Sequence, residues 1–209
     1  MIKLLKNIFI SLILLSLTSI LVFAAETNQA EETAITDSAN TDEVIDINDR
    51  GGDFSLIGKS GWVSLSDFKG KVVAIYFGYT KCPDVCPTNL SFLSSAIAQL
   101  TAEEKNQFQS IFISVDPGRD SPDVLAEYVK YFDEDMIGLS AAPDDVDPVV
   151  AQYGAYYEKV PFSNSALMYG IDHTSETYIV GRDGKLVFIL DHATESAKIL
   201  STIREAMKK

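Results

Sequence analysis

Lys71-Val-Val-Ala-Ile-Tyr-Phe-Gly-Tyr-Thr-Lys-Cys-Pro-Asp-Val-Cys-Pro87 joins an almost wholly apolar run to the two cysteines of the chain, Cys82 and Cys86. The run follows Gly70 and lacks polar alternation, which marks a strand buried on both faces in the centre of a sheet. Beyond the cysteines, Leu90, Leu93, Ile97 and Leu100 recur at helical spacing, predicting a helix over Thr88 to Leu100. The cysteines therefore fall in the loop between a central strand and a long helix.

Working outward, the same alternation of element types continues. Phe54 to Ile57 and Trp62 to Leu65, split by Gly58 and Gly61, predict a hairpin. Ile111 to Val115 predicts a strand that stops at Asp116-Pro117-Gly118. Ser121 and Pro122 open a helix running through Phe132, with serine as cap and proline in the first turn. Val146 to Tyr153 predicts another helix. Tyr178 to Val180 and Leu186 to Leu190 predict a hairpin around Arg182-Asp183-Gly184, and Thr194 to Met207 a closing helix. Helices on both faces of a mixed central sheet make the fold class α/β. A strand, cysteine loop and helix followed by a closing hairpin and helix suggest a thioredoxin-like body with an N-terminal hairpin.

The 209 residues carry 17 Lys and Arg against 30 Asp and Glu, a formal net charge of −13. With no basic stripe to neutralise phosphates, a nucleic-acid partner or an anionic-membrane surface is excluded. Two cysteines make neither a disulfide-dense scaffold nor a four-cysteine zinc site. Residues 1–24 read as an export address. Lys3 and Lys6 precede an uncharged span from Asn7 to Ala25, with Val22 and Ala24 small enough for cleavage before Ala25. Left uncut, the same span approaches the ~20 residues of a membrane anchor. No cysteine follows, so a lipoprotein anchor is excluded. Both readings take the rest of the chain out of the cytoplasm, to the periplasm or the outer face of the inner membrane, where a cysteine pair can be oxidised. Residues 25–50, with eight acids, one arginine and no aromatic residue, read as a solvated acidic tether. The folded domain is expected over residues 51–209. Two look-alikes fail on inspection. Asp46-x-Asn48-x-Arg50-Gly51 starts like a calcium loop, but Arg50 replaces an oxygen ligand. Gly58-Lys59-Ser60 resembles a phosphate loop, but Asp53 stands where the first glycine belongs.

The chemistry resides in the cysteine pair. Residues four apart are presented to one point by a helical turn or a tight loop, and the helix N-terminus just beyond favours thiolate over thiol. An inert staple is the plainer alternative. A five-residue ring, however, constrains the unfolded chain by only about 2 kcal/mol, less than half of what a long loop gives. A redox dithiol usually has two intervening residues; the third one here makes room for an ion. Two thiolates are soft donors that select copper(I), with zinc as competitor. The nitrogen donors on offer are His173 and His192. His173 precedes the penultimate strand, the segment that faces the cysteine loop in a thioredoxin-like fold, and no proline follows Pro161 to take that place. His192, at the end of the last strand, reads as a surface residue, and Asp172 as a solvated loop acid with a weaker claim as an axial oxygen donor. The four methionines are scattered and form no copper site.

These residues resemble the Sco/SenC copper proteins of cytochrome c oxidase assembly. The resemblance runs from about Gly51 to Met207, through Gly51-Gly-Asp-Phe-Ser-Leu56, Asp67-Phe-Lys-Gly-Lys-Val-Val73, Tyr76 to Pro87, Ser114-Val-Asp-Pro-Gly-Arg-Asp-Ser-Pro122, and Asp172-His173 ahead of Tyr178. Cys-Pro-Asp-Val-Cys-Pro with a distant Asp-His is its specific part. The resemblance implies a thioredoxin-like fold and copper bound by Cys82, Cys86 and His173. It also implies delivery of copper to the dinuclear copper centre of oxidase subunit II, with a copper donor or a thioredoxin-like reductant as a second partner. Three functions follow from different classes: a copper metallochaperone, a thiol–disulfide reductase acting through Cys82 and Cys86, and a binding module with an inert disulfide. His173 separates the first two, because dithiol exchange needs no imidazole opposite the sulfurs, although apo thiols can also reduce a metal acceptor.

Overall fold

Strand β3, Val72–Gly78, is buried along its whole length and forms the axis of the domain in a computed structural model that describes residues 47–162 and 168–209. Its seven residues pair in parallel, one for one, with β4, Phe108–Ser114. On its other side it pairs antiparallel with β8, Thr177–Val180, which pairs in turn with β9, Leu186–Leu190. Beyond β4 come β5, Ile137–Ser140, and the hairpin β1, Ser55–Gly58, and β2, Gly61–Ser64. The sheet reads β2-β1-β5-β4-β3-β8-β9, with parallel strands at its centre and antiparallel ones outside. This is the mixed α/β, thioredoxin-like architecture that the sequence predicts. Gly58 and Gly61 close the first hairpin, so Lys59 and Ser60 form its loop and not a phosphate cradle.

The helices follow the predicted order with shifted ends. α1 spans Val85–Ile97 and starts three residues earlier than the periodicity predicts, which puts Cys86 in its first turn. Pro87 does not prevent this, since the first helical turn has no internal acceptor for the N–H that proline lacks. α2, Ala102–Asn106, is a short helix that the hydrophobic pattern does not signal. α3, Pro122–Val129, carries the expected cap: the Val124 N–H donates to Ser121 Oγ at 3.4 Å. α4, Pro143–Gln152, opens at its own proline rather than at Val146, and α5, Ser196–Ala206, closes the chain.

The sequence does not disclose a second, separate ribbon. β6, Tyr157–Pro161, and β7, Tyr169–His173, pair antiparallel with each other, Tyr157 facing His173, and with no strand of the main sheet. The N-terminal address and most of the acidic stretch lie outside the described residues. The last residues of that stretch, Ile47–Asp49, form a 3-10 turn whose Ile47 rests on the core, so the body takes in residues ahead of Gly51. Among the described residues no helix is long and apolar enough to cross a membrane.

Candidate metal centre

Cys82, Cys86 and His173 come together at the C-terminal end of β3, with their donor atoms within 4.8 Å of one another. The loop from β3 turns on the Cys82 N–H, which donates to the Tyr79 carbonyl at 3.2 Å, and α1 then begins at Val85. The first-turn N–H of Cys86 consequently faces the Cys82 sulfur at 3.4 Å. Cys86 lies deeper, fully buried against β3, and a Cβ at Gly78 would fall 2.9 Å from its Sγ. Glycine at position 78 is what gives that sulfur its space.

The two sulfurs differ electrically. The Cys86 side chain, with the Cys86 N–H behind it, holds the Cys82 thiol down to about 3, outweighing its burial. Burial, reinforced by the adjacent Cys82 sulfur, pushes the Cys86 thiol up. The sequence reading expects the helix terminus to favour thiolate, and that holds at Cys82 alone. Desolvation decides at Cys86.

His173 ends β7. Its Nδ1 lies 2.7 Å from the Thr174 carbonyl, which can only accept, so Nδ1 carries the proton. Nε2 then turns a lone pair to Cys86 Sγ at 3.2 Å. Tyr76 and Tyr79 flank the imidazole edge-on, with ring centroids at 6.3 and 5.8 Å. The donor set suits a soft ion. Bonds of about 2.0–2.3 Å, as zinc makes to nitrogen and sulfur, would separate donors by roughly 3.5–4 Å, which lies within the 4.8 Å spread of the group and needs a slight opening of the 3.2 Å Cys86–His173 pair. The Tyr76 hydroxyl is buried beside the Cys86 sulfur.

His192 is exposed and outside the group, as is Asp172, whose neighbours on β7, Ile171 and His173, turn to the other face. Sequence reasoning assigns no role to several residues that fix the site. Asn89, on α1 and 4 % exposed, donates Nδ2 to the Ser175 carbonyl at 2.5 Å and accepts the Ala193 N–H at 2.7 Å. It thereby pins the chain just after His173 to the cysteine helix. Asp120, fully buried, accepts the Thr80 N–H at 2.9 Å and the Thr80 hydroxyl at 2.5 Å, holding the loop two residues ahead of Cys82. A sequence signal for Asp120 exists in Ser114 to Pro122, because acids that follow the C-terminal end of a parallel strand face the functional edge of an α/β sheet.

Residues 43–208 match the protein family described as SCO1/SenC. The SCO2-like protein of Rickettsia felis is 38 % identical over 144 residues, covering 68 % of this chain and 70 % of that protein. Among solved structures, apo Sco1 of Thermus thermophilus is 37 % identical with a TM-score of 0.68, over 75 % of this chain and 91 % of that one. ScoI of Bradyrhizobium japonicum, solved with copper bound, is 35 % identical with a TM-score of 0.67, over 75 % of this chain and 99 % of that one.

Proposed function

This chain belongs to the SCO1/SenC family, and from that premise we propose that it is a copper metallochaperone whose ligands are Cys82 Sγ, Cys86 Sγ and His173 Nε2. The observation that carries the reading is the orientation of His173. Its Nδ1 proton is spent on the Thr174 carbonyl, and its lone pair faces Cys86 Sγ at 3.2 Å with Cys82 Sγ within 4.8 Å. Copper is cargo here. Two thiolates supply most of the affinity for copper(I), and a three-donor set leaves a position for the incoming ligand of a recipient. Cys82 meets the ion as a thiolate, whereas Cys86 surrenders its proton on loading, so uptake releases a proton.

The recipient in this reading is the dinuclear copper centre of cytochrome c oxidase subunit II. Residues 1–24 direct export to the periplasm or the outer face of the inner membrane, as a cleaved signal or an anchor. The part of the acidic stretch ahead of Ile47 serves as the tether of the copper-binding domain. A second activity is favoured by one observation: a low-pKa sulfur at Cys82 beside a protonated Cys86 is the arrangement for thiol–disulfide exchange. The same pair could then reduce the cysteines of an exported partner. The deciding experiment is the copper content of protein prepared reduced, exposed to copper(I) and freed of excess. One equivalent that vanishes when either cysteine is replaced by serine is the expected result. Copper retained by both serine variants would sink the reading.

A further inference from the structure

The ribbon that carries His173 shares no ladder with the main sheet, so side chains must fix where the imidazole sits relative to the sulfurs. The turn after β4 supplies them. Asp116, whose carboxylate is fully buried, receives Arg119 Nε on one oxygen and the Tyr169 hydroxyl on the other, the latter at 2.7 Å. Arg119 then reaches across to the ribbon: its Nη1 donates to the Tyr169 carbonyl at 3.0 Å, and its guanidinium lies 3.8 Å from the centroid of the Tyr169 ring. Tyr169 opens β7, the strand that ends at His173. Two residues on, the Ile171 N–H donates to the Tyr79 hydroxyl at 3.3 Å, and the Tyr79 ring stands edge-on to His173.

The same turn also grips the cysteine side. The Asp116 N–H donates to Ser114 Oγ, whose hydroxyl donates to Asp120 at 2.7 Å, and Asp120 holds Thr80. One five-residue turn, 116–120, therefore ties both halves of the site to the end of β4.

We infer that Asp116, Arg119 and Tyr169 form a positioning clamp that sets the distance between His173 Nε2 and the two sulfurs. The clamp selects the third donor and leaves the cysteine pair alone. A buried carboxylate engaged on both oxygens by a guanidinium and a phenol is costly to assemble and rigid once made. No covalent or redox step is involved. The inference rests on His173 being the third ligand.

Two variants test it in the full chain. Arg119→Lys keeps a cation for Asp116 but cannot reach the Tyr169 carbonyl at the same time. Tyr169→Phe keeps the ring under the guanidinium and removes only its hydroxyl bond, so it carries the test even if the lysine variant does not fold. In reduced, metal-free protein, the proton cross-peaks between the His173 and Tyr79 rings should weaken in both. With copper(II) added, the thiolate absorption should move toward that of His173→Ala, and affinity should fall about tenfold, the scale of outer-shell substitutions. Amide exchange at Thr80 should stay at the parent rate, because the cysteine loop is held through Asp120 instead. Unchanged ring contacts in both variants, or Thr80 exchange that rises together with their loss, would overturn the clamp. Failure of the parent to bind copper would overturn the function proposed above, while the metal-free ring contacts would still decide the clamp.

Discussion

Gly78 and Cys86 compete for one space: a Cβ at position 78 would stand 2.9 Å from Cys86 Sγ and 3.0 Å from both Tyr76 and Phe112. Each of those neighbours is buried, so none can swing into solvent. Gly78→Ala should therefore act as an overpacking change costing about 1–3 kcal/mol in a urea titration. It should also displace the sulfur, so copper stoichiometry after gel filtration should drop in the fraction that remains folded. A folded variant that binds copper like the parent would show that the Cys86 sulfur is not a ligand.

The two histidines make a matched pair of variants. His173→Ala should weaken copper(I) only in part, because the thiolates remain, and disturb copper(II) more, since that ion prefers nitrogen and oxygen in a tetragonal field. The thiolate-to-copper(II) absorption should shift or vanish. His192→Ala, on an exposed residue outside the group, should leave the spectrum as it was. The reverse pattern would place the site elsewhere.

Oxidation should act as an on–off control. Joining Cys82 to Cys86 removes both sulfur donors, so the oxidised protein should bind no copper(I) and regain about one equivalent on reduction. Thiol counting and metal analysis on the same samples would check this.

Asn89 is the hinge pin between the cysteine helix and the segment behind His173. Asn89→Leu leaves the Ala193 N–H and the Ser175 carbonyl unmet in a half-buried setting, at up to about 1 kcal/mol for each group, the low end of the penalty for full burial. A lowered melting temperature is expected, together with faster amide exchange at Ala193, whose N–H is the one bonded to Asn89. Unaltered exchange there would show that the bond contributes nothing.

Acid stability has an identifiable contributor far from the site. Arg204 on α5 clasps Glu104 on α2 through two bonds of 2.7 and 3.0 Å, and Arg204 with the Thr101 N–H holds the Glu104 carboxyl down to about 2, against an ordinary 4.5. A carboxyl lowered on folding stabilises above its ordinary value, and that contribution is lost as pH falls toward the folded one. The urea midpoints of the parent and Glu104→Gln should thus differ most above pH 4.5 and converge on approach to pH 2. A gap that is constant with pH would remove Glu104 from the acid limb.

How far the sequence discloses this molecule depends on how each segment meets the core. The unbroken apolar run of β3, the leucine spacing of α1 and the Arg182-Asp183-Gly184 turn are legible because burial or turn chemistry dictates their residues. β5 is hidden by Gly138, which sits in mid-strand because a side chain there would come 2.8 Å from Leu125 Cβ. β6 is hidden because most of its residues are exposed, leaving no alternation to detect. α4 is legible from Val146 onward, and only its first turn is hidden, because Pro143, Asp144 and Asp145 contribute nothing to the apolar spacing. At the site, the sulfurs and His173 are visible as rare residue types. Of the residues that orient them, Asn89 and Arg119 are common types whose significance arises from contacts distant along the chain, and Asp120 is signalled only by its place after β4.

The ribbon of Tyr157–Pro161 and Tyr169–His173 adds no rung to the seven-stranded ladder, and that has a consequence for how this protein tolerates sequence drift. Changes at its exposed positions, Glu158, Lys159 and Asp172, are insulated from the cooperativity of the sheet, so that outer face can be varied while folding proceeds unaltered. A saturation library over Glu158, Lys159 and Asp172 would return many members whose melting curves overlay the parent, whereas substitutions at Ile171, on the same ribbon but in the core, would not. The same library over β3 would return few members that fold at all.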